Sequence, residues 1–281
     1  MRQIFRQWAG HIDQVRGAIL TGSRTDPNGH IDWLSDFDIM LFVRSPQLFE
    51  KPGWEEELGP VMVCLPEGVR LPDGLWIPTR LVVYSIGQRI DFSIWPLESV
   101  PRLSENGEVV PWLDNGYEVL LDKDGLFEAL PPATYQCFVP DKPGQKEFQA
   151  LVEEFFWEAT VVAKYLWRKE LSPALFSFET VMRQKCLLQM FNWHIQQEGE
   201  WQVPALKMGR GLKRKVDAKE WKRYKKTLFQ GKASQNWAPF FEMVALFGEI
   251  SRSVARDVGL EYPEKVEEEV TRFLQQIKDK E

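Results

Sequence analysis

The stretch AILTGSRTDPNGHIDWLSDFDIMLFV, residues 18–43, decides how the rest of the chain is read. Two apolar runs, residues 18–20 and 37–43, flank a polar excursion. The first ends in Gly22-Ser23 and the second opens on Asp36-Phe37-Asp38. Alternate residues of a strand share a face, so Asp36 and Asp38 project together with Cα atoms roughly 6–7 Å apart. Carboxylates at that separation can converge on a pair of Mg²⁺ ions about 3.5–4 Å apart. Gly22 has no Cβ and lets the backbone come close to a ligand. The amides after it, with the Ser23 hydroxyl, can hold phosphate oxygens. A phosphate cradle ending one strand, with a metal-binding pair opening the next, points to metal-assisted nucleotidyl transfer. Read singly, Asp36 and Asp38 would be a solvated strand end and Ser23 a turn residue.

Gly22-Ser23, twelve residues, then Asp36-Phe37-Asp38-Ile39 resembles the signature of the polymerase-β-like nucleotidyltransferase superfamily. The longer string GSRTDPN…DFDIMLFV is similar to the aminoglycoside 6-adenylyltransferases, the streptomycin-modifying family. The resemblance continues through IDFSIWP (90–96), LLDKDG (120–125), FFWEATVVAKYLWR (155–168) and GRGLKR (209–214), and so covers nearly the whole chain. It implies a Mg²⁺-dependent enzyme, with two ions, that transfers AMP from ATP to the 6-hydroxyl of streptomycin and releases pyrophosphate. It also implies that Asp91, in IDF, is the third acid of the metal site with Asp36 and Asp38. On its own residues Asp91 is either such a group or an outward-facing member of a half-exposed strand. Arg24 is either a cation for the β- or γ-phosphate or a surface charge. Lys164 is either an amphipathic stem reaching solvent or a cation for the triphosphate, and the resemblance favours the second. The same chemistry on a protein, RNA or other small-molecule acceptor is the alternative function.

Composition sets the frame. The 281 residues suffice for two domains. Hydrophobic content of 44% is that of a soluble globular chain, and no apolar run approaches the roughly 20 residues needed to span a bilayer. The N-terminal MRQIFRQWAGHIDQV is amphipathic and broken by charges, unlike a signal peptide; a cytoplasmic location is expected. Cys64, Cys137 and Cys186 are far apart and form no CxxC pair, so they are read as small buried residues. Net charge is −6, yet residues 207–226 hold ten basic against two acidic residues. The acidic remainder favours a polycationic acceptor over nucleic acid. The basic run has a GxG without a preceding strand, so it is no dinucleotide fingerprint; it is either a solvated helix face or a path for polyphosphate or RNA. His11, His30 and His194 have no triad or metal-ligand spacing, and the chain has no Walker A motif and no HExxH.

In chain order, Ile4, Phe5, Trp8 and Ile12 give residues 2–15 a helical face. Asp26-Pro27-Asn28-Gly29 signals a turn, and residues 47–58 hold a short helix. Strands are expected at 61–65, 79–85, 90–95 and 118–122, with 66–78 as a loop. The second and third form a hairpin. The fold class is α+β: a nucleotidyltransferase domain over residues 1–135 with a mixed, twisted sheet of about five strands and flanking helices, then a helical bundle domain over 136–281. The Pro-rich stretch 130–144 is the linker. Phe148, Leu151, Val152, Phe155, Ala159, Val162, Ala163 and Leu166 keep a helical period, and further helices are expected at 174–197, 218–229, 237–258 and 263–278. Glu154 and Glu158 share a face of the long helix; they are either acceptor-binding acids for the cations of an aminoglycoside or ordinary surface acids.

Overall fold

A computed structural model describes residues 1–27, 29 and 31–281, with Glu198 as backbone only. His30 and Asn28 of the expected turn therefore lie outside the described residues; the amide of Gly29 donates to the Asp26 carbonyl at 2.9 Å. The chain divides into two compact units, Met1–Phe138 and Val139–Glu281.

The first unit is built on a mixed sheet of six strands. Helix α1 (Arg2–His11) leads into β1 (Val15–Thr21), followed by β2 (Phe37–Val43), β3 (Val61–Arg70), β4 (Trp76–Tyr84), β5 (Arg89–Pro96), the short hairpin β6–β7 (Ser104–Glu105, Glu108–Val109) and β8 (Glu118–Asp122). The sheet order is β3-β4-β5-β2-β1-β8, where only β2 and β5 run parallel. Central β2 is buried on both faces, which is why it reads as a continuous apolar run. Ile39, Leu41 and Val43 pack under Phe5 and Ala9 of α1, while Met40 and Phe42 join Leu103, Leu113 and Phe127 on the other face.

Two expectations change here. The segment 66–78 is not a loop. Strand β3 runs on to Arg70 and pairs with β4 through Pro66↔Arg80, and the turn lies at residues 71–75, where the Leu71 amide donates to the Leu75 carbonyl at 2.8 Å. Pro66 is tolerated because β3 is an edge strand, where a missing N–H breaks no ladder. Residues 47–58 form two short 3₁₀ turns, Pro46–Leu48 and Trp54–Leu58. The second closes over a buried ion pair, Arg80 Nε to Glu55 Oε1 at 3.0 Å.

The second unit is helical: α2 (Gln145–Trp167), α3 (Leu171–Ser177), a π-helical segment (Phe178–Leu187), α4 (Leu188–Glu198), α5 (Leu212–Lys215), α6 (Ala218–Lys226), α7 (Trp237–Val258) and α8 (Glu264–Lys278). Its core joins α2 and α7, with Phe155 stacked on Phe247 at 3.6 Å between ring centroids. The single helix expected over 174–197 is instead three segments of different winding. The π-helical part carries Arg183, which is 2% exposed and donates to Thr227 Oγ1 (2.6 Å), to the Thr227 carbonyl (2.9 Å) and to Glu179 (2.7 Å). No described helix is long and apolar enough to cross a membrane.

Candidate active site

Strand β1 must end abruptly for Ser23 to turn back toward β2, and Gly22 makes this possible. Its φ of +77° lies in the left-handed region and starts one 3₁₀ turn, Gly22–Arg24. The turn is fastened by the Thr25 hydroxyl, which donates to the Gly22 carbonyl (3.0 Å) and the Gly116 carbonyl (2.8 Å). A Cβ on Gly22 would fall 2.8 Å from Asp38 Cγ. The glycine thus makes room for a neighbouring carboxylate, a closer constraint than the ligand approach that the sequence suggests.

Sheet register then assembles the acids. Thr21 on β1 faces Asp38 on β2, and Asp38 faces Asp91 on β5. Asp36 stands two residues before Asp38, on the same side. Carboxylate oxygens of Asp36, Asp38 and Asp91 lie within 4.8 Å of one another, and all three side chains are half-buried. Three hard oxygen donors at this spacing, open on one side, fit a cation such as Mg²⁺, which takes one or two carboxylates and completes its shell with water and phosphate oxygens.

A residue not singled out from the sequence holds this cluster together. Arg89 donates from Nε to Asp91 Oδ1 (2.9 Å) and from Nη2 to Asp91 Oδ2 (2.7 Å), and its Nε lies 4.0 Å from Asp36 Oδ2. The hydrogen bonds to Asp91 hold its pKa above the ordinary arginine value against the cost of burial, helped by the fields of Asp91, Asp36 and Asp38. The signal was present: Arg89 and Asp91 are two apart on one strand and therefore share a face.

Arg24 and Ser23 differ in what they leave free. Arg24 Nε donates to the Asp36 carbonyl (2.8 Å) and Nη2 to the Ser35 carbonyl (2.6 Å), and the guanidinium lies 3.8 Å over the Phe37 ring. Burial and the nearby Arg2 lower its pKa. Arg24 thus ties the start of β2 to the turn after β1. The Ser23 hydroxyl makes no hydrogen bond among the described residues and is half-buried in the turn. Trp33, 72% exposed, stands at the same end of the sheet, where Gln88 Nε2 donates to its carbonyl at 3.3 Å.

Lys164, Glu154 and Glu158 belong to the helical unit, all on α2. Lys164 is exposed, with its ammonium 4.5 Å from the Tyr165 ring. Glu154 forms an ion pair with Lys185. Glu158 is 8% exposed, and among the described residues no hydrogen bond or ion pair reaches it.

The sequence profile of the streptomycin adenylyltransferase family matches residues 1–277. An aminoglycoside 6-adenylyltransferase of Bacillus subtilis (strain 168) is 28% identical over 283 residues, covering 99% of this chain and 96% of that protein. One from Campylobacter jejuni is 29% identical, covering 92% and 89%. Among solved structures, the crystal structure of an aminoglycoside 6-adenyltransferase from Bacillus subtilis aligns over 99% of this chain and 97% of that one, with 22% identity and a TM-score of 0.48.

Proposed function

The chain belongs to the streptomycin adenylyltransferase family and is a nucleotidyltransferase, and we propose that it transfers AMP from ATP to a hydroxyl of an aminoglycoside, the 6-hydroxyl of streptomycin. The observation that carries this reading is the convergence of Asp36, Asp38 and Asp91 beside the Gly22-Ser23 turn. Those three carboxylates would hold Mg²⁺, two ions in the full complex, which when bound offsets charge on the phosphates of ATP.

The chain's own groups do the remainder. The Ser23 hydroxyl donates to a phosphate oxygen. Arg24, by fixing the carbonyls of Ser35 and Asp36, keeps the carboxylate of Asp36 aimed inward and lends positive charge to the phosphate side. The acceptor hydroxyl oxygen bonds to the α-phosphorus as the bond to the bridging oxygen breaks, and pyrophosphate leaves with that electron pair. Asp91, once Arg89 releases one of its oxygens, accepts the hydroxyl proton. Lys164 serves the triphosphate as a further cation. Glu154 and Glu158 attract the cationic acceptor: a buried carboxylate with no donor among the described residues, such as Glu158, gains from a guanidinium or ammonium partner. An ATP-consuming enzyme of this kind works in the cytoplasm.

The test is pyrophosphate release from ATP and MgCl₂ with a panel of aminoglycosides. Release dependent on streptomycin, lost in Asp38→Asn with the fold intact by circular dichroism, is the expected result. Transfer of AMP to RNA or protein but not to streptomycin would replace the acceptor. Undiminished turnover in Asp38→Asn would remove the aspartate site from the chemistry.

A further inference from the structure

The basic run at residues 207–226 is not absorbed by the aspartate chemistry. Its few acids are already engaged: Asp217 and Glu220 cap α6 reciprocally, and Glu220 Oε1 lies 2.7 Å from His194 Nε2. Of its ten cations, only Arg223 forms an ion pair among the described residues, with Glu242 and Glu249. Lys207, Arg210, Lys213, Arg214 and Lys215 are all exposed and have none. So many like charges on one short segment repel each other, and of these cations only Arg223 has acidic partners among the described residues to offset its charge.

The segment is shaped as well as charged. Three residues near its start take left-handed backbone angles, Met208 (φ 51°), Gly209 (φ 75°) and Gly211 (φ 81°). They fold the chain around an open cavity of about 360 Å³, lined by Met208, Lys213, Arg214, Trp221 and Tyr224 beside the two glycines and Leu212. Trp221 and Tyr224 stack with centroids 5.4 Å apart and planes 12° apart, which gives one wall a flat aromatic face. Arg214 reaches over Gly211, where a Cβ would lie 3.5 Å from its Nη2. A small cavity with a flat apolar wall and two unpaired cations matches a molecule with a planar ring and an anionic tail. It is too small for an extended strand of several nucleotides.

We propose that this cavity is a second nucleotide site, besides the one at the Gly22-Ser23 turn, with its phosphates on Lys213 and Arg214 and its ring on Trp221. ATP is the nucleotide on the reading given above, and the inference rests on that reading only for this choice. Glycine at 209 is part of the design, since a Cβ there would press to 3.2 Å from Leu188 Cδ2.

Calorimetric titration of the full chain with ATP in EDTA tests this, using Lys213→Gln/Arg214→Gln against Lys219→Gln/Lys222→Gln. The second pair removes the same charge from exposed positions outside the cavity. The expected result is a loss of ATP affinity of roughly tenfold or more in the first pair and little change in the second. Equal losses in both pairs would leave only a diffuse field and overturn the site, as would no loss in either. A single-stranded RNA 12-mer that outcompetes ATP for wild type, but not for the 213/214 pair, would also overturn it. Failure of the transfer reading is seen separately, as absent pyrophosphate release by wild type.

Discussion

Replacing Gly22 by alanine separates the two demands made on that position. The first is backbone: a non-glycine residue at φ +77° costs about 1–2 kcal/mol. The second is space: a Cβ 2.8 Å from Asp38 Cγ must push the carboxylate away until ordinary contact, near 3.4 Å, is restored. Overpacking of this kind costs about 1–3 kcal/mol, so Gly22→Ala should lose about 2–5 kcal/mol in all. Gly107→Ala is the control. Its φ is +84°, but nothing lies within 4 Å of the added Cβ, so only the backbone cost of about 1–2 kcal/mol applies. Hydrogen exchange of β1 and β2 peptides, read by mass spectrometry, reports the opening free energy. Pyrophosphate release at saturating Mg²⁺ reports chemistry, where displacing a carboxylate of the proposed metal site by about half an ångström or more should cost ten- to a hundredfold. Gly107→Ala should leave turnover unchanged. If Gly22→Ala kept full turnover and lost no more stability than Gly107→Ala, the contact between the turn and Asp38 would be irrelevant to the site.

Removing Arg89 with Arg89→Gln should cost less than about 1 kcal/mol of stability, since the side chain is half-exposed. It should also tighten Mn²⁺ binding several-fold in an electron paramagnetic resonance titration; weaker binding would mean that the arginine orients Asp91 rather than stands in for the ion. Arg80→Met strands buried Glu55 and should destabilise the first unit by about 3–5 kcal/mol, with most of this recovered in Arg80→Met/Glu55→Leu; a loss below about 1 kcal/mol in the single variant would contradict a tightly coupled pair. Asp114 is buried, which alone would raise its pKa, yet the Thr134 amide and hydroxyl and the amides of Cys137 and Gln136 hold it below the usual carboxylate range. A folded-state pKa below the unfolded one gives stability that is complete at neutral pH and lost as pH falls through the folded value. In urea titrations the gap between wild type and Asp114→Asn should therefore narrow below about pH 4; a constant gap down to pH 2 would refute it. Cys186, pushed up to about 12 by burial and by Glu154, should resist Ellman's reagent at pH 7.5 until the helical unit unfolds.

What the sequence determined by itself is what neighbours along the chain encode. The 3.6-residue period of apolar side chains set the helix Trp237–Val258 to the residue, and strand alternation put Asp36 and Asp38 on one face. The Gly22-Ser23 and Asp36-Phe37-Asp38 pairing suggested the proposed chemistry, and resemblance suggested Asp91 as its third acid. Tertiary structure decided what depends on pairing across distance. Asp91 reaches Asp38 only because β2 and β5 lie parallel and in register, and no local pattern in either strand specifies its partner. The same holds for Pro66, whose tolerance follows from an edge position, and for Gly22, whose constraint is a carboxylate sixteen residues away. Arg24 looked free in sequence because the carbonyls that bind it belong to a segment eleven and twelve residues on, brought within reach when the loop closes. Periodicity is local and survives in the unfolded chain. Register, burial and counter-ions arise when distant segments exclude water together, and it is there that three separate aspartates become one site.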